Sequence, residues 1–212
     1  MNTQFTPLFS VVIPCYKVAN YIGDCIESVL AQTFKSFEII CVDDGSPDTT
    51  VAIIKQYSDD RIRIIHQINR GLSGARNTGI NATRGLFIAL LDADDLWLPT
   101  KLEEHFKHLQ SKPDVGISYS ASEFIDEDGK RMGLGQHPKL TDITAKDVFC
   151  RNPIGNGSAA VIRKSLLNSV SRIRQIGKET RVEYFDENMR QSEDVEFWLR
   201  VALTTKYKFE GI

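Results

Sequence analysis

The first half of the chain alternates short, continuous apolar runs with stretches in which apolar positions recur every three or four residues. The runs LFSVVI (8–13), FEIICV (37–42) and LFIALL (86–91) are rich in branched side chains, as strands buried on both faces should be. Pro14 is expected to stop the first of them. RIRIIH (61–66) alternates instead and predicts a less buried strand. Between these runs, Ile22, Ile26, Val29 and Leu30 fall at i, i+4, i+7 and i+8, which predicts a helix over 20–34 with one buried face. Further helices are expected over 49–57 and 73–83. Strand and helix in strict alternation predict βαβ units and a largely parallel sheet.

The second half is less regular. A helix is expected over 98–110 and a strand over 115–121, followed by the polar, glycine-rich DEDGKRMGLGQHPK (126–139), which predicts a turn or flexible loop. A strand over 158–162 and a short helix over 163–170 come next. Glu193 to Thr204 predicts a clear helix, with Val195, Trp198, Leu199 and Ala202 on one face. The final KYKFEGI reads as the start of another strand, so the native chain is expected to continue beyond residue 212.

Length and charge narrow the class. At 212 residues the chain can bury the core of one α/β domain. A net charge of −2 gives no general attraction to nucleic acid or to an anionic membrane, so no nucleic-acid partner is expected. Four cysteines at 15, 25, 41 and 150 lack C-x-x-C spacing and read as buried thiols of a reducing compartment. The opening MNTQFTPLFSVVIP lacks the basic start and apolar stretch of a secretion signal, and no run approaches the roughly 18 residues of a membrane span. A soluble, intracellular chain is expected. Asn81-Ala82-Thr83 and Asn156-Gly157-Ser158 match the glycosylation sequon and read as coincidence there.

Candidate chemistry gathers at strand ends. FIALLDADD closes in Asp92, Asp94 and Asp95, and side chains two apart on an extended segment point the same way. Such a pair suits a hard cation, at the edge where open α/β sheets bind ligands. The same acids would also favour the amino end of the next helix through its dipole. The second strand ends in Asp43-Asp44-Gly45-Ser46, where Asp44 can accept from a base or ribose hydroxyl and Ser46 can cap a helix, or where the chain simply turns. Tyr16, after Pro14 and Cys15, offers a ring to a nucleobase or to packing. In Asn69 to Asn77, small residues allow close backbone approach and Arg70 and Arg76 suit phosphate oxygens, although surface arginines at a helix start look the same. Glu193 and Asp194 read as a catalytic carboxylate pair or as dipole-favoured acids with Ser192 as cap. His105 and His108 read as surface residues, and His66 as a strand-end residue.

In this order, VVIPCYK, VDDGS, NRGLSGARNTG, LLDADD and SEDVEFWLR resemble the family 2 glycosyltransferases. The resemblance implies the GT-A fold, a Rossmann-like nucleotide-binding mixed sheet flanked by helices with a less regular acceptor-side portion. It implies a single domain over 1–212, with a nucleotide-sugar half to about residue 115 and an acceptor-side half from about 116. The implied activity is inverting transfer of a sugar from a nucleotide diphosphate donor, a UDP-sugar first, to a glycan or lipid-linked acceptor, assisted by Mn²⁺ or Mg²⁺. On this pattern Pro14, Tyr16 and Asp44 line the base pocket, with Asp44 facing the base's N3 proton. Arg76 approaches the nucleotide or its phosphates, and Asp92 lies near ribose or sugar. Asp94, last of the D-x-D pattern, holds the metal. Asp194 is the general base, and Glu193 positions the acceptor or its loop. Work in cell-surface polysaccharide synthesis, in the cytoplasm and at the inner face of the membrane through sequence beyond residue 212, follows from the same resemblance. The chain departs from it at Lys17, where many members have Asn, and over 122–156, which matches nothing specific.

Other functions fit less well. A non-catalytic, nucleotide-binding module of the same fold is the main alternative. A sugar nucleotidyltransferase would carry a glycine-rich basic loop where Pro14-Cys15-Tyr16-Lys17 stands, and a dinucleotide dehydrogenase would need G-x-G-x-x-G after a strand, which is absent.

Overall fold

The four apolar runs of the first half become β1 (Phe9–Cys15), β2 (Phe37–Asp43), β3 (Ile62–His66) and β4 (Phe87–Leu90) of one sheet in the computed structural model, which describes residues 6–212. Residues 1–5, which open the segment read above for a secretion signal, lie outside the described residues. β1 pairs in parallel with β2 on one side and β4 on the other, and β2 pairs in parallel with β3. Every residue of β1 and β2 is buried, as their unbroken apolar character requires. β5 (Val115–Tyr119), β8 (Ala160–Arg163) and β11 (Lys208–Gly211) complete the order β11-β5-β8-β4-β1-β2-β3. β8 runs antiparallel between β4 and β5, so the sheet is mixed.

Pro14 does not end β1, which runs to Cys15. The carbonyl of Cys15 accepts from Asp44 on the β2 side, and that of Val12 accepts from Leu91 on the β4 side. Alternation therefore turns position 14 toward β4, where registered pairing stops at Val12 and Leu90, and no ladder bond is lost to the missing N–H.

Alternate side chains of β1 feed two cores. Phe9, Val11 and Ile13 pack with α1 (Ile22–Leu30), α2 (Thr50–Ile54) and α4 (Lys101–Ser111), while Val12 packs on the other face. That second layer holds α3 (Gly71–Asn81), α5 (Ala145–Cys150), α6 (Lys164–Val170) and α7 (Glu193–Thr204), with Trp198 and Phe197 at its centre. α3 lies very close to the sheet because Gly79 has no side chain: a Cβ there would stand 2.3 Å from Val12 Cγ1.

The stretch 126–139, expected as a loop, instead contributes to a hairpin of β6 (Ser122–Ile125) and β7 (Arg131–Gln136). Its turn is built by Asp126, whose Oδ1 accepts from the N–H groups of Asp128 and Lys130 at 3.1 and 2.9 Å, and by Gly129 at φ +77°. A second hairpin, β9 (Arg172–Ile176) and β10 (Glu179–Glu183), and the capping-box helix α5 also went unread in the sequence. Both hairpins are largely exposed, so no burial pattern marks them.

His105 and His108 are not surface residues. His105 is fully buried and His108 largely so, and a line of polar contacts runs beneath α4. Lys101 Nζ lies 3.2 Å from His105 Nε2, His105 Nδ1 2.7 Å from Ser118 Oγ, and His108 Nδ1 2.8 Å from the same oxygen. His108 Nε2 then reaches Glu210 Oε2 of β11 at 3.4 Å. Cys15, Cys25 and Cys41 are buried as expected, but Cys150 is exposed at the end of α5. Among the described residues no helix is long and apolar enough to cross a membrane.

Candidate active site at the carboxyl edge of the sheet

The loops that leave β1, β2 and β4 meet at the carboxyl edge of the sheet, the place where open α/β sheets hold ligands in a crevice. Pro14 is buried in the last turn of β1, and Tyr16 follows it, 44% exposed, with the Lys17 ammonium 5.3 Å from its ring centre. At the end of β2, Asp44 is only 2% exposed. Its Oδ1 accepts from Gln67 Nε2 at 2.7 Å and from the Arg70 N–H at 2.8 Å, and its Oδ2 from the Gly71 N–H at 2.8 Å. One lone pair on Oδ2 is left for a ligand. Ser46 caps no helix; its N–H donates to Asp43 Oδ1 at 2.9 Å.

The segment NRGLSGARNTG clasps a distant part of the chain. Arg70 Nε donates to Glu187 at 3.1 Å, and a second Arg70 nitrogen also bonds that carboxylate. Asn77 donates to the Phe185 carbonyl and accepts from the N–H groups of Tyr184 and Phe185. Arg76 is 2% exposed and bridges two acids, donating from Nη2 to Asp92 Oδ1 and from Nη1 to Glu193 Oε1, each at 2.8 Å. Both terminal nitrogens of Arg76 are thus held by carboxylates, which differs from the phosphate contact expected. Glu193 likewise turns into the protein toward Arg76 rather than out toward an acceptor.

Asp194, the next residue, accepts from the Val195 N–H at 2.8 Å and from Asn152 Nδ2 at 3.0 Å. Ser192 precedes the pair in a left-handed conformation, φ 58°, and makes no capping bond, so the cap expected of it is absent. Asn152 was not singled out in the sequence, and Gly157 and Ser158 were read there only as part of a sequon and, for Ser158, as the start of a strand, not as site residues. Ser158 Oγ accepts from the Asp92 N–H at 2.9 Å, and a Cβ on Gly157 would stand 2.5 Å from Arg76 Nη2 and 3.3 Å from Asp92 Oδ2. The only sign of them was a run of small and polar residues, NPIGNGSAA (152–160).

Asp92, Asp94 and Asp95 crowd the end of β4. Asp94 is exposed, and Asp95 is pushed above the ordinary carboxylate range by burial and then by the charges of Asp92 and Asp94, against a bond from Ser158. Hard oxygen donors, with Asp94 and Asp95 in no ion pair among the described residues, fit a divalent cation. Among the described residues no three His, Cys, Asp or Glu side chains form a closed metal cage. Mg²⁺ takes as few as one or two carboxylates and completes its shell with waters and substrate phosphates.

Residues 10–171 match the family model described as glycosyl transferase family 2. The chain belongs to that family. It is 32% identical to an uncharacterized glycosyltransferase of Rickettsia bellii, across 99% of this chain but 29% of that protein. The crystal structure of S. aureus TarS 1–349 superposes with a TM-score of 0.75 at 20% identity, covering 96% of this chain and 57% of that one. TarS has also been solved with UDP and with UDP-GlcNAc. The mannosyltransferase PcManGT from Pyrobaculum calidifontis, in complex with GDP-Man and Mn²⁺, gives a TM-score of 0.70 at 19% identity, covering 99% of this chain and 55% of that one. The fold is therefore GT-A, and the chain spans little more than half of these solved chains.

Proposed function

We propose that this chain is the transferase domain of an inverting glycosyltransferase that moves a sugar from a nucleoside diphosphate donor, a UDP-sugar first, to a hydroxyl of a glycan or lipid-linked acceptor. The observation that carries this reading is the Arg76 bridge, which ties Asp92 on the donor side of the crevice to Glu193, the neighbour of Asp194. The donors in TarS and PcManGT, UDP-GlcNAc and GDP-Man, support the donor class. Pro14, Tyr16 and the free lone pair of Asp44 receive the base. Asp92 lies by ribose or sugar, fixed in place by Arg76 and Ser158. Asp94 holds Mn²⁺ or Mg²⁺, which when bound neutralises charge on the departing diphosphate. Asp194, steadied by Asn152, takes the proton of the attacking hydroxyl. Arg76 and Glu193 hold these two sides in register and act through Asp92 and Asp194. Supply of nucleotide sugars puts the reaction in the cytoplasm, in service of cell-surface polysaccharide synthesis at the inner face of the membrane.

Calorimetric titration of UDP with and without Mn²⁺, in wild type and Asp94→Asn, tests the donor site. Binding should need the metal and should weaken at least tenfold in the variant. Equal affinity in the two proteins with Mn²⁺ present removes Asp94 as the ligand.

A further inference from the structure

A groove of about 840 Å³ opens on the α1 and α4 side of the Asp92–Asp95 segment, walled by α1, residues 95–98, the start of α4 and the β6–β7 hairpin. Its size falls within the roughly 300–1,000 Å³ of small-molecule sites. Asp44, Asp94 and Asp194 do not line it, so it is separate from the crevice described above. It nevertheless touches that crevice through Ser158, which lines the groove and holds the Asp92 N–H. Asn156, four residues beyond the Asn152 that steadies Asp194, lines it as well.

The chemistry of the walls selects the occupant. Asp24, Glu27 and Asp95 have no ion-pair partner among the described residues, whereas Arg131 is paired with Glu123 at 3.4 Å. Lys101 is the remaining cation, and its Nζ donates to Ser120 Oγ at 3.1 Å and to the Ala159 carbonyl at 3.0 Å. Such walls repel phosphates and uronic acids and accept hydroxyl donors. Asn156 Oδ1 is a buried acceptor without a partner among the described residues, while Asn156 Nδ2 donates to Ser122 Oγ at 3.2 Å. Leu96 and Leu98, 45% and 66% exposed, supply apolar surface beside these polar groups. Hydroxyl-accepting carboxylates, an orphan amide oxygen and exposed leucines together match a sugar ring, which has polar edges and apolar C–H faces.

We propose that this groove binds a neutral saccharide, the part of the acceptor that lies next to the sugar under attack. The proposal rests on the transferase reading above and adds to it the acceptor's charge and place. A neutral glycan enters the groove, and an acidic one is excluded by Asp24, Glu27 and Asp95.

The test is saturation-transfer NMR on the whole chain with methyl glycosides of glucose, galactose, mannose and N-acetylglucosamine as neutral probes, and methyl glucuronide as the acidic one. At least one neutral glycoside should receive saturation, more strongly than the glucuronide. Ala121→Trp, which fills the groove from an exposed wall position, should cut that signal at least fivefold while the variant's amide spectrum stays folded. No neutral signal, a stronger glucuronide, or a signal unchanged in Ala121→Trp each overturns the proposal. UDP titrated with Mn²⁺ into the wild-type sample separates the two readings. UDP binding without glycoside binding overturns the groove alone, and groove-dependent glycoside binding without UDP binding upholds the groove and overturns the donor reading.

Discussion

Asp194 has its two carboxylate oxygens on different parts of the chain, one accepting from the Val195 N–H and the other from Asn152 Nδ2. Two donors fix the plane of the group and still leave each oxygen a lone pair. A carboxylate held in this way meets an incoming hydroxyl in one orientation, which is what general-base catalysis requires. Asp194→Asn keeps the shape and one of the two bonds but removes the basicity. Transfer from any UDP-sugar that the wild type turns over should fall by about 10²–10⁴. Affinity for UDP should be unchanged, and melting should move by no more than roughly 2–4 °C. Initial rates beside a UDP titration check this, and near-normal turnover moves the base role to another group. Two residues bordering the site hold left-handed backbones, Lys17 after Tyr16 and Ser192 before Glu193, both at φ 58°. That conformation costs an ordinary L-residue about 1–2 kcal/mol. It also gives the physical reason why asparagine, whose short side chain bonds its own backbone, suits position 17.

α4 shows how one element can carry a pH response. Burial, then the nearby charges of Lys101 and His108, push the His105 imidazole well below its ordinary 6.5, and burial takes Lys101 from 10.5 to about 7. The groups that face His105 are Lys101 and His108 on its own helix and Ser118 on β5, with Glu210 of β11 beyond His108. Both bases hold protons less tightly in the folded chain than in the unfolded one, so the unfolded chain binds more protons and stability rises with pH. For His105 the gain is lost as pH falls through 6.5 toward the lower folded value. Between about pH 7.5 and about pH 5.5 the melting temperature should therefore drop, and His105→Gln should flatten that slope even if it lowers the whole curve. Thermal melts of the two proteins across this window decide it, and parallel curves would show that His105 is not the titrating group. The sequence concealed this network because histidines at i and i+3 on a charged helix look like solvent-facing residues. It was clearer for elements with one buried face: α7 spans Glu193–Thr204, as its apolar stripe predicts.

At the scale of the whole molecule, the candidate site was legible where it lies on buried parallel strands. Asp44 and the Asp92–Asp95 group stand out because continuous apolar runs end in acids. Asn152, Gly157 and Ser158 were not legible, because a backbone approach or a single hydrogen bond leaves no periodic trace. Nor does the sequence tell that Arg76 points inward. That arginine joins the first-half sheet to α7 across 117 positions of chain, and its guanidinium carbon also lies 5.5 Å from the centre of the Phe185 ring. A buried cation between two carboxylates is stable only as a set, since removal of one member leaves uncompensated charge in a poorly solvated place. Arg76→Met should therefore cost about 3–5 kcal/mol, with roughly 2–4 °C of melting temperature lost for each kcal/mol. Adding Glu193→Gln should restore part of the loss, because the stranded charge goes with it, whereas independent sites would simply add their costs. Urea denaturation of the two single variants and the double variant measures the coupling. If the double variant is as unstable as the sum of the singles, the bridge does not hold the end of β4 to the start of α7, and their register must come from the Arg70 and Asn77 contacts to residues 184–187 instead.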